Sequence, residues 1–502
     1  MLTKSDPDEI QDYLVDASYV RGGRADRVLF PETAEDVAQI LGRATREGTP
    51  VTVAGAGTGT VAGRVPFGGI VIATEKLNKI KSVVAESNCG RGVAEAGVRL
   101  IDFQSAADAK GLLYPPDPTE RSCLIGGNIA TNASGARTFK YGPTRDYIRR
   151  LKIALTTGDI IELERGKLHA NEKGRIELPL PSGAKIEAKL PSYEMPHVRK
   201  HASGYYIKPG MELIDLFIGS EGTLGVIVEA ELKLILKPKG LLSGVVFFKE
   251  EENLLAFVRD ARERSLAIRV RSTSASEGGD IDARALEYFD NESLTFLRQR
   301  YKTVPEQAGG AIFFEQETTP ATEDELMTQW LSLLETHHAL VDDSWFATNE
   351  EDQSRLREFR HALPVLMNEW FGRHNQRKVS TDMAVPDQVF PQMLRFYQDN
   401  LRGSDLRYTI FGHIGDNHVH VNILPRNDDE ATKAWSIYHK FIRRAVELGG
   451  TISAEHGIGK LKRDYLVDLY GEDHVREMAA LKKAFYPAGI LGRGNMFSEE
   501  LL

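Results

Sequence analysis

The chain has few cysteines and no long apolar run. Its 502 residues include two cysteines, Cys89 and Cys123, too few for a disulfide framework, a four-cysteine zinc site or an iron–sulfur cluster. No stretch approaches the roughly 18 consecutive apolar residues of a membrane span. The N-terminal segment lacks the basic and apolar pattern of a signal peptide. These absences predict a reducing compartment, with the cytoplasm as the expected location and peripheral association at the inner membrane left open.

Positive charge is also scarce. Lys and Arg number 63 against 72 Asp and Glu, which leaves a net charge of −9, and no long Lys/Arg run occurs. The chain therefore lacks the electrostatic pattern of a nucleic-acid partner. An apolar share of 41% indicates a globular protein, and the length predicts roughly three domain-sized units, or two with insertions.

Residues 1–240 have the pattern of an α+β unit. Thr33 and Asp36 form a capping box before a helix that ends at Gly48, and a short β-branched strand then leads into a glycine-rich loop. Residues 165–200 are richer in Lys, Pro and polar turns, which indicates an excursion or lid rather than core.

Residues 241–460 alternate between strand and helix patterns. We interpret this region as a second α+β domain, an antiparallel sheet with helices on one face, and its predicted strands include residues 267–272. A helical tail over residues 461–502 follows.

The first glycine-rich loop formally matches a dinucleotide fingerprint through Gly57, Gly59 and Ala62. That fingerprint needs a following helix, and residues 65–69 carry Pro and two glycines that block it. A nicotinamide-binding Rossmann unit is therefore disfavoured. The backbone N–H groups of the loop can still form a nest for a pyrophosphate, although one such loop is equally well explained as a steric turn.

Two further glycine-rich segments follow, residues 115–135 and 218–225. The three segments in this order resemble the FAD-binding domain of the vanillyl-alcohol oxidase/PCMH flavoprotein superfamily over about residues 25–235. The resemblance implies that the first loop holds the pyrophosphate, the second borders the isoalloxazine and ribityl chain, and the third contacts the adenine side. The FAD-contacting residues that it implies are Gly55, Gly57, Thr58, Gly59, Gly63, Pro116, Asp117, Gly126, Gly127, Asn128, Thr131, Asn132, Gly135, Gly219, Glu221, Gly222, Gly225 and Val226.

The mode of FAD attachment is constrained by the sequence. Some relatives bind FAD through an N-terminal histidine, but the first histidine here is His169, which excludes such a link in the first 168 residues. Cys123 offers a thioether alternative, although a small residue in a tight turn is the simpler explanation. We therefore expect noncovalent FAD. Ala54 stands where many relatives carry an arginine.

A second constellation lies between residues 409 and 424. His418, His420 and Asn422 alternate with apolar residues and so share one face of a strand. Such a face ordinarily meets solvent. His413 lies just upstream, and three of the 13 histidines within eight residues favour a chemical role.

The downstream pair Glu455 and His456 is followed by a glycine-rich turn. The pair alone is common on surfaces, but with His413 and His420 it provides two imidazoles and a carboxylate. This set suits zinc, manganese or iron with open coordination positions. We expect a divalent metal, zinc or manganese.

These residues resemble the motifs of the FAD-linked D-2-hydroxy acid dehydrogenases, which include D-lactate and D-2-hydroxyglutarate dehydrogenases and the glycolate oxidase flavin subunit. Asn417-His418 departs from the Gly-Asn of that family's motif. The roles that the resemblance implies are metal ligation by His413, His420 and Glu455, substrate contact by Asn422, and base catalysis by His456.

The substrate carboxylate needs a cation. Arg360 is our choice because a planar guanidinium binds a carboxylate through two hydrogen bonds, and Arg357 is its competitor. Both could instead be solvated helix arginines. The hydroxyglutarate branch has a lysine where this sequence has Ser380, with Lys378 offset from that position.

The resemblance implies a PCMH-type FAD-binding domain over residues 1–240, a ferredoxin-like substrate (cap) domain with the metal site over residues 241–460, and a tail that returns to the FAD domain. The expected reaction is oxidation of a D-2-hydroxy acid, lactate-like, with electrons passing to an external quinone, cytochrome, electron-transfer flavoprotein or oxygen. D-2-hydroxyglutarate and glycolate are alternative substrates, and a homodimer stays open. Two other classes also stay open, a metal-dependent hydrolase without flavin and a flavin-binding subunit for assembly or electron relay.

Overall fold

The computed structural model describes residues 1–271 and 279–502, and it has the predicted α+β class. In these residues the strands are β1 (Leu2–Lys4), β2 (Arg27–Phe30), β3 (Val51–Ala54), β4 (Ile70–Ala73), β5 (Ile80–Ala85), β6 (Gly90–Glu95), β7 (Leu112–Leu113), β8 (Ile148–Ala154), β9 (Ile160–Glu164), β10 (Arg175–Pro179), β11 (Lys185–Lys189), β12 (Val226–Leu236), β13 (Gly240–Phe248), β14 (Ala283–Asp290), β15 (Gly310–Thr318), β16 (Trp345–Ala347), β17 (Val379–Ser380), β18 (Tyr408–Gly412) and β19 (His420–Ile423). The α-helices are α1 (Pro7–Ile10), α2 (Ala34–Glu47), α3 (Leu100–Asp108), α4 (Ile125–Thr131), α5 (Thr138–Tyr141), α6 (Ile214–Phe217), α7 (Glu251–Arg271), α8 (Asn291–Leu297), α9 (Glu323–Thr336), α10 (Glu350–His374), α11 (Phe390–Arg402), α12 (Asp428–Glu447), α13 (Arg463–Tyr470) and α14 (Glu472–Phe485).

The first sheet has the order β1-β2-β4-β3, with β2, β4 and β3 parallel. Helix α2 connects β2 to β3, and the predicted capping box of Thr33 and Asp36 is present at its start. The helix ends at Gly48, whose φ of 65° lies in the left-handed region that glycine tolerates best. Because β3 ends at Ala54, the first glycine loop leaves the carboxyl edge of this sheet.

A second sheet has the order β5-β6-β12-β8-β9, and β7 also pairs with β12. Strand β12 lies at its centre and is antiparallel to both neighbours. The third glycine-rich segment ends immediately before β12, and α4 of the second segment packs against the same strand. This sheet therefore holds two of the three glycine-rich segments side by side.

The interpretation of residues 165–200 as a lid rather than core is wrong for much of this segment. Strands β10 and β11 form an antiparallel hairpin, and β11 packs against α14. Ile176, Leu178 and Ile186 are buried in the same core cluster as the two sheets. The alternation of β10 and β11 gives each strand one apolar face, and burial of that face is why the hairpin joins the core.

The third large sheet is antiparallel throughout, with the order β16-β13-β15-β14-β18-β19-β17. We predicted helices on one face, but both faces are covered. Leu286 and Tyr288 of β14 pack in the main core with residues of α7 and α9, whereas Phe289 packs in a second cluster with α8 and α10. The near-continuous apolar runs of these strands explain the burial of both faces.

The strand predicted over residues 267–272 is wrong. Residues up to Arg271 continue α7, and Ser272 lies outside the described residues. The side chain of Val270 is 84% exposed, so this β-branched residue sits on the solvent face of a helix rather than in a sheet. In chain order, the second strand of this sheet is β14, which we did not predict.

The C-terminal residues contact the first sheet. The backbone N–H of Val51 donates to the carbonyl of Ile490 at 2.9 Å, and that of Gly492 donates to the carbonyl of Val51 at 2.9 Å. The stretch after α14 thus lies beside β3 and the first glycine loop. None of the helices in the described part of the chain has the length and apolar character that crossing a membrane requires.

Candidate functional site: a glycine-lined cavity and a histidine cluster

A cavity lies between the three glycine-rich segments. Most of the predicted FAD-contacting residues line it, namely Gly55, Gly57, Thr58, Gly59, Gly63, Gly126, Gly127, Asn128, Thr131, Glu221, Gly222, Gly225 and Val226.

The glycines of this cavity suit a large cofactor that needs close approach to backbone. A Cβ atom added to Gly59 or Gly127 would meet no described protein atom within 4 Å and would project into open space. A Cβ on Gly126 would lie 2.7 Å from Cβ of Ala96, so the helix–strand contact behind the cavity also requires glycine. The cavity wall is thus built to expose backbone, as bound FAD would require.

Some predicted FAD-contacting residues do not line the cavity: Pro116, Asp117, Asn132, Gly135 and Gly219. Asn132 ends α4 with a left-handed φ of 50°, and its Oδ1 accepts from the backbone N–H of Arg145 at 2.9 Å. A Cβ on Gly135 would lie 2.2 Å from the carbonyl oxygen of Asp117. In this structure, these two residues shape the walls behind the cavity.

Arg64 is a cavity residue that our sequence analysis missed. Its Nη1 donates to the carbonyl of Gly55 at 2.6 Å, and its Nε donates to the carbonyl of Val15 at 2.9 Å. A Cβ on Gly57 would lie 2.5 Å from its guanidinium carbon. The first glycine loop is therefore braced by an arginine that follows it, whereas Ala54 precedes it.

Asn495 connects the first and third glycine segments. Its Nδ2 donates to the carbonyl of Gly63 at 3.0 Å and to that of Glu221 at 3.2 Å. Lys460 donates to Oδ1 of Asn495 at 2.7 Å. No local pattern marks Asn495, because its contacts with Gly63 and Glu221 join residues 432 and 274 positions apart.

Cys123 also lines the cavity, and its thiol is buried. Burial raises the pKa of the Cys123 thiol to about 11. The thiolate, which is the nucleophilic form, is thus disfavoured at neutral pH.

A cluster of His413, His418, His420 and Glu455 lies beside this cavity. One ligand atom from each residue lies within 4.8 Å of the others. His413 follows β18, His420 begins β19, and Glu455 comes from the turn after α12. We predicted three of these as metal ligands. His418, which we placed on the same strand face as His420 but gave no role, precedes β19 and joins the cluster.

The partners of His413 and His420 fit a metal site. Nδ1 of His413 lies 2.6 Å from Oε1 of Glu287, and Nδ1 of His420 lies 2.9 Å from the carbonyl oxygen of Thr381. Both Nδ1–H groups can donate outward, which leaves both Nε2 lone pairs facing Glu455. This carboxylate–histidine or carbonyl–histidine pattern is usual around protein-bound metals.

The electrostatics of the cluster favour a cation. Burial opposes protonation of His413, but the charges of Glu287 and Glu455 raise its pKa to about 9. Burial opposes ionisation of Glu455, yet His413 and Lys200 hold the pKa of its carboxyl well below the usual range. Two imidazoles and a carboxylate are a donor set that could hold a divalent transition metal.

Lys200 is the residue of this site that sequence reasoning missed most clearly. Its side chain is buried, and Nζ lies 2.5 Å from Oε1 of Glu455, 3.4 Å from Oδ2 of Asp416 and 2.9 Å from the carbonyl oxygen of Gly135. It follows the hairpin that we interpreted as a lid. No spacing in that segment indicates a contact with Glu455.

His456 connects the cavity and the cluster. It lines the cavity, and its ring stacks on that of His420 with a centroid separation of 5.6 Å. Its Nδ1 lies 3.4 Å from Oδ2 of Asp382. Burial lowers the pKa of His456 to about 4, so the imidazole is neutral at neutral pH.

Asp382 organises the turn that carries Glu455 and His456. It accepts from the backbone N–H groups of these two residues at 3.2 and 3.1 Å, and from Nζ of Lys462 at 2.7 Å. Burial opposes its ionisation, but His456 and Lys462 hold its pKa well below the usual range. Asp382 is thus a buried anion beneath His456.

The two candidate carboxylate anchors have different surroundings. Nε of Arg360 donates to Oε2 of Glu287 at 3.0 Å, and Nη2 of Arg360 lies 2.9 Å from the same oxygen. Arg360 therefore reaches the cluster through Glu287 and His413. In the described part of the chain, Arg357 has no carboxylate within ion-pair distance.

Asn422, the predicted substrate contact, is buried in β19, and its Nδ2 donates to the carbonyl of His420 at 3.3 Å.

Comparisons with known proteins show which families this chain is similar to. The family profile described as FAD linked oxidases, C-terminal domain, matches residues 243–496, and a FAD binding domain profile matches residues 25–164. The chain is 31% identical to a D-lactate dehydrogenase from Anaerostipes hadrus, over 97% of this chain and 93% of that protein. It is 29% identical to glycolate oxidase subunit GlcD from Bacillus subtilis strain 168, over 97% and 92%. It is 27% identical to a D-2-hydroxyglutarate dehydrogenase from Stutzerimonas stutzeri strain A1501, over 94% and 90%.

Solved structures show the same fold. Two structures of alkyldihydroxyacetonephosphate synthase superpose with TM-scores of 0.62 and 0.63 at 14% identity. The superposition with the first structure covers 93% of this chain and 77% of the synthase chain. The superposition with the second covers 98% and 82%. At this identity the likeness establishes the fold alone, and the FAD binding domain profile identifies that fold as a PCMH-type FAD-binding fold with mixed helix and sheet.

Proposed function

The chain belongs to the FAD-linked oxidases, and on that premise we propose that it oxidises a D-2-hydroxy acid to the 2-oxo acid, with D-lactate as the leading substrate. The observation that carries this proposal is the position of His456, which lines the glycine-rich cavity and stacks on His420 of the cluster. A base between a flavin site and a metal site suits removal of a proton and a hydride from one carbinol group.

FAD is the cofactor that we place in the cavity, noncovalently, and when bound it would supply the acceptor for the hydride that leaves C2 of the substrate. The backbone exposed at Gly59 and Gly127 supports this placement. The raised pKa of Cys123 supports noncovalent attachment, because the thiol is poorly nucleophilic.

His456 is the proposed base. Because its Nδ1 faces Asp382, the neutral tautomer with a proton on Nδ1 leaves a lone pair on Nε2. The substrate hydroxyl proton passes to Nε2, the C2–H bond breaks, and the C–O bond becomes a carbonyl. The anionic Asp382 stabilises the imidazolium that forms.

A divalent metal, zinc or manganese, is proposed at His413, His420 and Glu455. When bound, it would polarise the substrate hydroxyl and lower its pKa. The support is the donor set itself, with Glu287 and Thr381 orienting the two imidazoles.

The substrate carboxylate is proposed to bind Arg360, with Asn422 as a further contact. Arg360 already pairs with Glu287, which leaves fewer of its N–H groups free for a substrate carboxylate. Arg357 is therefore kept as the competing anchor. D-2-hydroxyglutarate and glycolate are the alternative substrates, as relatives bearing those names are nearly as similar as the D-lactate dehydrogenase. Ser380, in place of the lysine of the hydroxyglutarate branch, favours the smaller acid.

The electrons are proposed to leave for an external acceptor, a quinone, a cytochrome or an electron-transfer flavoprotein. With two cysteines in the chain, no iron–sulfur cluster can serve as an internal relay. A cytoplasmic location completes the proposal, with peripheral contact at the inner membrane and a homodimer left open.

The direct test is rapid-mixing spectroscopy of flavin reduction by D-lactate in a His456→Ala variant. We expect a normal flavin spectrum and FAD content with flavin reduction abolished. An unimpaired reductive half-reaction in this variant would refute the assignment. A protein that binds metal but neither contains nor takes up FAD would instead favour the metal-dependent hydrolase, and a yellow protein inert to hydroxy acids would favour an electron-relay subunit.

A further inference from the structure

His418 has no assigned role in the proposed function. It occupies the position where the family motif has asparagine, and its side chain is 0% exposed. Its Nδ1 has no hydrogen-bond partner in the described part of the chain, whereas its Nε2 faces a carboxylate oxygen of Asp382 at 3.2 Å. Burying a polar atom without a partner costs free energy, so the unpaired Nδ1 calls for a ligand.

The orientation of His418 is that of a metal ligand. Its Nε2 lies 3.2 Å from Oδ1 of Asp382, and its Nδ1 lies 3.8 Å from Oε1 of Glu455. One ring nitrogen therefore faces an outer carboxylate and the other faces the centre of the cluster. An N–H on Nε2 directed at Asp382 would leave the Nδ1 lone pair for a metal.

His413 and His420 also direct one ring nitrogen outward and the other toward the centre of the cluster. Each directs Nδ1 to an outer acceptor, and their Nε2 atoms lie 3.3 and 4.0 Å from the oxygens of Glu455. The ring of His418 lies 4.5 Å from that of His420 and 5.6 Å from that of His413, measured between centroids. Three imidazoles and one carboxylate thus converge on a common point.

We infer that His418 is a fourth protein ligand, so that this chain holds its metal with three histidines and Glu455. The inference rests on the metal site of the proposed function and extends it to a residue that the family motif does not supply. An imidazole-rich set favours zinc, iron, cobalt or nickel over magnesium or calcium. A fourth ligand also strengthens retention, and it links the metal to His456 through Asp382, which lies within 4.0 Å of both rings.

Metal titrations test this assignment. Purified full-length protein and a His418→Asn variant are stripped with a chelator, and zinc affinity is measured by competition with a chromogenic chelator. We expect the variant to bind zinc about 10- to 100-fold more weakly, with FAD content unchanged. The cobalt(II) ligand-field spectrum should also change, since the variant lacks one nitrogen donor. Equal affinities and identical cobalt spectra would overturn the inference.

His201→Asn is the matched control. His201 is half-buried, and its ring nitrogens lie 3.0 Å from Oγ1 of Thr451 and 3.1 Å from the hydroxyl of Tyr470, neither of which belongs to the cluster. Zinc affinity and the cobalt spectrum of this variant should match the wild type. A loss equal to that of His418→Asn would mean that any buried histidine change weakens the site, which would overturn the assignment.

X-ray absorption of the zinc-loaded wild-type protein tests the inference without a variant that must fold. Three imidazole ligands are expected, and two would overturn it. A wild-type protein that takes up no metal, yet whose flavin is reduced by D-lactate, overturns this inference and the metal role together while the flavin chemistry stands. Three imidazoles on zinc in a protein whose flavin no 2-hydroxy acid reduces would uphold the inference and contradict the proposed function.

Discussion

Nδ1 of His456 lies 3.4 Å from Oδ2 of Asp382, a buried carboxylate that also accepts the backbone N–H of His456 at 3.1 Å. The same side chain thus fixes both the turn and the orientation of the imidazole. A base held in this way keeps one tautomer and gains a counter-ion when it takes a proton. Asp382 is therefore a positioning residue for His456.

Asp382→Asn should slow flavin reduction by D-lactate about 100-fold or more, because the amide neither fixes the tautomer nor stabilises the imidazolium. Stopped-flow absorbance would measure the rate, and FAD and metal contents would show whether the sites persist. Asp290→Asn is the control, since Asp290 is buried at the start of α8. A wild-type rate in Asp382→Asn would contradict the assigned role.

Gly127→Val should lower FAD content while the protein remains folded. A Cβ atom at Gly127 meets no described protein atom within 4 Å, so we expect a side chain there to enter the cavity that Gly127 lines. Gly372→Ala in α10 also places its Cβ in open space, but far from the cavity, and it should leave FAD content unchanged. The flavin-to-protein absorbance ratio is the measurement, and full FAD occupancy in Gly127→Val would argue against this cavity as the FAD site.

Arg360→Lys and Arg357→Lys should separate the two carboxylate anchors. If Arg360 binds the substrate, its replacement should raise KM for D-lactate about 10-fold or more, because lysine lacks the planar fork. Arg357→Lys should then change KM less than about threefold. The opposite pattern would transfer the role to Arg357. Since Arg360 also pairs with Glu287, metal content must be measured in both variants.

Lys482 should carry a stability cost that depends on pH. Its side chain is buried, and burial lowers its pKa from 10.5 to about 7. Between about pH 7 and 10.5 the unfolded chain therefore binds more protons, so this residue makes the free energy of unfolding rise with pH across that window. Lys482→Met should stabilise the protein at pH 7 by about 1 kcal/mol or more, with a smaller gain at pH 10. Chemical denaturation at both pH values is the check, and an equal gain at both would contradict the pKa assignment.

Local patterns predicted much of the first sheet and the motifs. The capping box of Thr33 and Asp36 depends on residues three positions apart, and it is present. The strand predicted over residues 267–272 was wrong because β-branched residues such as Val270 favour strands. Nothing in the neighbouring sequence shows that Val270 is exposed on a helix.

The site was predictable only where a motif carried it. His413, His420 and Glu455 are brought together as expected. Glu287, which lies 126 positions from His413, and Lys200, 255 positions from Glu455, were not predicted. Such contacts are set by packing between sheets and loops, and no periodicity in the sequence encodes them.

The visible spectrum of the purified protein during anaerobic addition of D-lactate, before and after metal removal, tests whether a 2-hydroxy acid reduces a flavin here and whether the reaction needs a metal. We expect a flavin band that D-lactate bleaches, and bleaching that chelation suppresses and added zinc or manganese restores. A colourless protein that cannot be reconstituted with FAD would contradict the proposed function.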